Sequence, residues 1–139
     1  MERVVLDTCV YLGMFYGDKD DCNRFRYYLL YKENNLFVVI CDGVKKELFR
    51  KMSEKHLAFN TLYQNIIIPL VIKNKINENG LESKLPENCN VSHKNDAHII
   101  ECALGSNCEK IITLDSRLQI DGNCNVKIVD ITEYINQNS

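Results

Sequence analysis

Four carboxylates stand where they could work together: Asp7, Glu47, Asp96 and Asp115. Asp7 closes the apolar run Val4-Val5-Leu6, and Asp115 closes Ile111-Ile112-Thr113-Leu114. Each therefore sits at the carboxyl end of a predicted buried strand. Glu47 lies beside Leu48 in a predicted helix that follows the strand Leu36 to Cys41. Asp96 opens another helix, whose apolar stripe is Ile99, Ile100, Ala103 and Leu104. If the strands are parallel, both aspartates project from one edge of the sheet, and helices that follow strands begin at that edge. Four like charges brought within a few ångströms cannot all stay ionised without cations. An all-oxygen donor set suits Mg²⁺ or Mn²⁺ better than zinc. Such a centre activates water and stabilises the leaving oxygen of a phosphodiester.

The elements that would position these acids follow from periodicity and breakers. A connection through Gly13 and Gly17 leads from the first strand to a helix over 19–33, with Cys22, Phe25, Tyr28 and Leu29 at helical spacing. The run LFVVIC is continuous and apolar, as a central parallel strand requires. Asp42 offers an N-cap for the helix through Lys45, Glu47, Leu48 and Met52, which continues or restarts to about Asn65. Ile66 to Ile72 carries Pro69 and reads as a short edge strand or connector. Residues 73–94 are polar and Asn-rich, a loop with at most one short helix. Asn95 and Asp96 cap the next helix, and Gly105 falls just past its end. Val126 to Ile131 forms a last strand before a terminal helix from Thr132. Alternating strands and helices give an α/β fold whose parallel sheet is covered on both faces, and ligands of such sheets bind beyond the carboxyl ends of the strands.

Composition narrows the class. The 139 residues suit one domain, 1–139, and the 45% hydrophobic and 26% charged content is that of a globular protein. No apolar run approaches the roughly 20 residues that span a bilayer. Asp7 interrupts the first apolar run too early for a signal peptide, so a cytoplasmic location is expected. The seven cysteines, Cys9, Cys22, Cys41, Cys89, Cys102, Cys108 and Cys124, include no Cys-x-x-Cys pair, and their number is odd. They read as reduced, packed thiols in keeping with the cytoplasm. His56, His93 and His98 show no nucleophile partner or metal spacing and receive no role. The net charge of −2 announces no nucleic-acid partner, although a carboxylate metal site is negative by necessity. Lys45, Lys46, Arg50, Lys51 and Lys55 could track a phosphate backbone.

Each acid has an ordinary reading as a turn residue, helix cap or solvated helical Glu; the joint placement is what argues for a site. At this point the residues resemble the PIN-domain family, including its VapC-type ribonucleases, over essentially the whole chain. Val4-Val5-Leu6-Asp7-Thr8-Cys9-Val10 is similar to that family's opening strand, first acid and Thr. Glu47-Leu48 resembles its helical Glu-Leu, Asn95-Asp96-Ala97 its third acid, and Ile111 to Asp115 the strand carrying a Thr and the fourth acid.

The resemblance implies a three-layer α/β/α fold with a central parallel sheet. It also implies Mg²⁺- or Mn²⁺-dependent cleavage of RNA by Asp7, Glu47, Asp96 and Asp115. Thr8 and Thr113 would orient the carboxylates. A homodimer, and a role as toxin with an antitoxin partner, are further implications. Two departures stand out. Many members carry another acid two positions after the fourth, where this chain has Arg117, which would then contact a phosphate. The stretch from Pro69 to Asp96 is also short and polar beside the usual toxin members. The main rival is a PIN-like module that binds RNA or protein without cutting. A phosphotransfer domain would want a Lys at a later strand end, and Ile128-Val129-Asp130 supplies none.

Overall fold

The computed structural model describes residues 1–91, 96–115, 117–122 and 124–138. His93 and Asn95 lie outside them. The chain opens with β1 (Glu2–Leu6), α1 (Thr8–Tyr16), α2 (Asp20–Tyr31), β2 (Leu36–Val39) and α3 (Asp42–Glu54). A helical run follows as α4 (Phe59–Leu62), a π-turn (Tyr63–Ile67) and α5 (Ile68–Ile72). Then come β3 (Ile76–Asn77), β4 (Cys89–Val91), α6 (Ala97–Gly105), β5 (Lys110–Thr113), β6 (Ile120–Gly122), β7 (Lys127–Asp130) and α7 (Ile131–Asn138).

Five strands form one all-parallel sheet in the order β3-β2-β1-β5-β7. Successive residues of a strand point to opposite faces. Val4, Val5 and Leu6 of β1, Val38 and Val39 of β2, and Ile111 and Ile112 of β5 are all fully buried. Both faces are therefore covered, which is the three-layer α/β/α arrangement. On the sheet, α6 packs against β1 and β5, and α7 against β5 and β7, while α2 lies against α1 and α7. From β1 the chain steps outward through β2 and β3, then returns to the other side of β1 with β5 and β7. The order reverses between β1 and β5, the crevice where open α/β sheets bind ligands.

Three local readings of the sequence are corrected. The segment after Asp7 is a helix, not a connection. Gly13 does not break α1; it admits α2, because a Cβ there would fall 2.4 Å from Cys22 Sγ. Gly17 ends α1 at φ 69, in the left-handed region that glycine enters without strain. Ile66 to Ile72 is helical rather than an edge strand. Pro69 sits in the first turn of α5, where a missing N–H is tolerated, and the chain upstream widens into the π-turn, with Ile68 N–H donating to the Tyr63 carbonyl. The Asn65 carbonyl, which Pro69 cannot serve, accepts from Arg26 Nη2 at 3.0 Å. Finally, residues 73–94 contain two short strands: β3 extends the main sheet, and β4 pairs antiparallel with β6 as a small separate ribbon.

The cysteine reading is corrected as well. Cys41 is joined to Cys102 and Cys89 to Cys124, at Cα separations of 5.9 and 5.0 Å, while Cys9, Cys22 and Cys108 remain free thiols. The partners are 61 and 35 residues apart, so spacing along the chain gave no hint of them. One bridge ties the N-cap of α3 to α6, and the other staples the β4–β6 ribbon. No helix among the described residues is long and apolar enough to cross a membrane.

Candidate active site

The site is best built outward from Asp7. Its N–H prolongs the β1–β5 ladder by donating to the Ile112 carbonyl at 2.9 Å, which fixes the residue at the switch point. The side chain, 8% exposed, then caps α1: Oδ1 accepts from Thr8 N–H at 2.8 Å and lies 3.2 Å from Thr8 Oγ1. The carboxylate thus faces the free amides and the positive end of the α1 dipole. Oδ2 accepts from the Thr113 hydroxyl at 2.8 Å, and the Cys9 thiol lies 3.5 Å away. Burial and the neighbouring Asp7 charge push the Cys9 thiol up to about 11, so it stays protonated and can donate.

Two threonines extend this centre in opposite directions. Thr8 Oγ1 also lies 3.1 Å from Glu47 Oε1, so one hydroxyl proton serves either carboxylate. Thr113 Oγ1 accepts from Asp115 N–H at 2.9 Å. The result is a line, Glu47–Thr8–Asp7–Thr113–Asp115, drawn from α3, α1, the residue after β1, β5 and the residues after β5.

The charge that the carboxylates would otherwise direct at each other is met by protein cations and donors. His98 Nε2 lies 2.7 Å from Glu47 Oε2, and Lys51 Nζ lies 3.1 Å from Glu47 Oε1. The His98 hydrogen bond is the main reason the Glu47 carboxyl is pulled down to about 2; partial burial opposes it and Lys51 reinforces it. Asp115 is held by Arg117, with Nε at 3.0 Å from Oδ1 and Nη2 at 3.2 Å from Oδ2, and the Arg117 amide adds a 2.9 Å bond to Oδ1. Such a two-pronged contact is the strong form of the Arg–carboxylate pair. Asp96 adds to the field that keeps Arg117 charged.

Glu47 and Asp115 thus have counter-charges within the protein, in Lys51 and Arg117. Among the described residues no three His, Cys, Asp or Glu side chains are grouped closely enough to hold a metal ion. Thr8 joins the Glu47 and Asp7 carboxylates and Thr113 joins Asp7 to the Asp115 amide, while Asp96 adds to the field at Arg117. Asp96 is the N-cap residue of α6, but at φ −93 and ψ −4 its backbone is not extended, and its side chain makes no capping bond. Asp42 is the first residue of α3 and not its N-cap, which is Cys41.

Sequence reasoning missed His98. It faces away from the Ile99–Ala103 stripe, and that outward face meets Glu47 on α3. The signal available was position, two residues after Asp96 in a helix start. Lys51 was legible as the i+4 partner of Glu47. Lys46 and Arg50 are exposed on α3; Arg50 is engaged by Glu54 at 2.5 Å, and Lys45 donates to the Glu78 carbonyl at 2.7 Å.

Comparison with curated proteins and with solved structures gives no significant match. A family profile described as the PIN domain does match, over residues 3–117, the span that holds all four acids and ends on Arg117. PIN domains are typically nucleases, and the chain belongs to the PIN-domain family.

Proposed function

We propose that this protein is a metal-dependent endoribonuclease. The observation that carries the reading is the hydroxyl-linked line from the Glu47 carboxylate through that of Asp7 to the Asp115 amide, set at the switch point of a PIN-domain sheet. The donor chemistry fits a hard divalent cation. Asp7 is buried with both oxygens oriented by hydroxyls, Glu47 is held ionised far below neutral pH, and every candidate ligand is an oxygen. Asp7, Glu47, Asp96 and Asp115 would hold Mg²⁺ or Mn²⁺, which, when bound, lowers the pKa of water and neutralises charge building on a phosphodiester.

The chain's own residues do the remainder. Thr8 and Thr113 fix the rotamers of Asp7 and Glu47, so the carboxylates present the same lone pairs each time. Arg117, exposed at the end of the line, can swing from Asp115 to a phosphate oxygen of RNA. Lys46 and Arg50 supply a flanking track for the backbone. The proposal extends to RNA as substrate, a homodimer, an antitoxin partner and a cytoplasmic site of action. The last is the point most exposed to test, because stable disulfides are rare in that compartment.

One observation favours a second reading, a PIN-like module that binds RNA or protein without cutting. The Arg117 fork occupies both oxygens of Asp115, where many relatives present another acid nearby. Incubation of labelled single-stranded RNA with the protein in Mg²⁺, Mn²⁺ or EDTA separates the two. Cleavage that needs metal and is lost in Asp7→Asn supports the nuclease; RNA retention without metal-dependent turnover supports the binding module.

A further inference from the structure

Glu47 is engaged at both carboxylate oxygens. Its Oε1 meets both the Thr8 hydroxyl and Lys51 Nζ, at 3.1 Å each. Its Oε2 meets His98 Nε2 at 2.7 Å, the shortest of the three contacts. The two side chains are 21% and 19% exposed, so this contact is sheltered from competing water. It also joins two elements, because Glu47 belongs to α3 and His98 stands two residues after Asp96 in α6. The disulfide between Cys41 and Cys102 ties the same pair of helices near the N-cap of α3. The helices are thus held by a covalent bond at one point and by a polar contact at the site itself.

With His98 Nε2 only 2.7 Å away, the approach to Glu47 Oε2 is occupied. A divalent cation at Glu47 needs at least one oxygen, and Oε2 is released by rotating a single imidazole. We infer that His98 is a positioning residue for Glu47, which holds the carboxylate in place between α3 and α6 and gives way when a divalent cation is bound at the acids. The inference rests on the metal-dependent reading above, and it adds a residue and a sequence of events to it. His98 would be a place-holder: it keeps the acid ordered in the metal-free protein and weakens the first binding of metal. A purely structural histidine would only join the helices, and would stay on Glu47 whatever is bound.

The test uses the full chain labelled with ¹⁵N at histidine and titrated with Mg²⁺ alone. The imidazole signals of His98 are assigned by their loss in His98→Gln. They should shift as Mg²⁺ is added and saturate with the binding seen by calorimetry, while those of exposed His56 stay still. His98→Ala should bind Mg²⁺ roughly tenfold tighter, the ratio expected when a hydrogen bond to a charged group no longer competes. It should also melt lower in EDTA, with His98→Gln, which keeps a donor, intermediate in both. Opposite signs for metal affinity and metal-free stability are what a structural role cannot produce. Mg²⁺ binding with unmoved His98 signals would overturn the inference and leave the metal-dependent reading standing. Absence of Mg²⁺ binding by wild type would overturn both. The wild-type titration decides the matter even if His98→Ala fails to fold.

Discussion

Replacing Thr113 with Val probes the line of acids at its middle. The residue is 3% exposed, and its hydroxyl donates to Asp7 Oδ2 at 2.8 Å, accepts from Asp115 N–H at 2.9 Å and lies 3.6 Å from Cys9 Sγ. Valine matches its shape but offers none of these. The bond to the buried carboxylate is charge-assisted, and its loss should cost ~1.5–3 kcal/mol. The Asp115 amide lies near the surface, where water can replace the hydroxyl, adding ~0.5–1 kcal/mol. The extra methyl recovers ~0.8 kcal/mol of apolar burial. The net expectation is a loss of ~2 kcal/mol, read by urea denaturation in EDTA, or about 6 °C in melting temperature for a domain of this size. Thr113→Ser, which retains the hydroxyl, should lose less than about 1 kcal/mol. If Thr113→Val unfolds within about 0.5 kcal/mol of wild type, the hydroxyl is not holding Asp7 and the reasoning fails.

Three further outcomes follow from the same contacts. Denatured without reductant, the protein should show three titratable thiols, Cys9, Cys22 and Cys108, and seven after reduction; opening each bridge should cost up to ~4 kcal/mol, and a count of seven at the outset would refute the disulfides. Arg117→Asp removes the fork on Asp115 and adds a carboxylate, so calorimetry should show tighter Mn²⁺ binding; unchanged or weaker affinity would exclude Arg117 from the site. Replacing Lys46 and Arg50 together with Ala should weaken RNA binding and reduce the salt slope by about 1.4, two phosphate contacts on a single strand. An unaltered slope would make this side of α3 a merely solvated face.

The sheet was legible because buried parallel strands announce themselves as short β-branched runs, and Val4-Val5-Leu6 and LFVVIC are such runs. The acids at β1 and β5 were legible for the same reason, since a carboxylate directly after an apolar strand has only the carboxyl edge to occupy. What sequence hid depends on contacts between distant segments. Gly13 reads as a breaker until Cys22 is found against it, and Pro69 reads as a breaker until the π-turn and Arg26 are seen to absorb it. Cys41 and Cys102 each look like small hydrophobes in apolar runs, which is where they sit, but the fold places them within bonding reach. His98 was dismissed because it leaves the apolar stripe of its own helix, and the surface it turns to belongs to α3. The partners of Glu47 and Asp115 were hidden in the same way, because they come from i+4, from α6 and from Arg117.

The central claim is that Asp7, Glu47, Asp96 and Asp115 form one metal site, to which the start of α6 contributes Asp96. Asp96→Asn keeps the size of the side chain and removes its charge. With Arg117 within its field, the change removes an attraction to a solvent-exposed guanidinium, so the mutant should fold and melt close to wild type in EDTA. Added Mn²⁺ should stabilise wild type by the mass-action term for a ligand of the native state. Measured side by side as melting temperature across a Mn²⁺ series, wild type should rise and Asp96→Asn should rise much less, with loss of RNA cleavage. Equal stabilisation of the two proteins, with cleavage retained, would contradict the claim and leave Asp96 a residue of the α6 start alone.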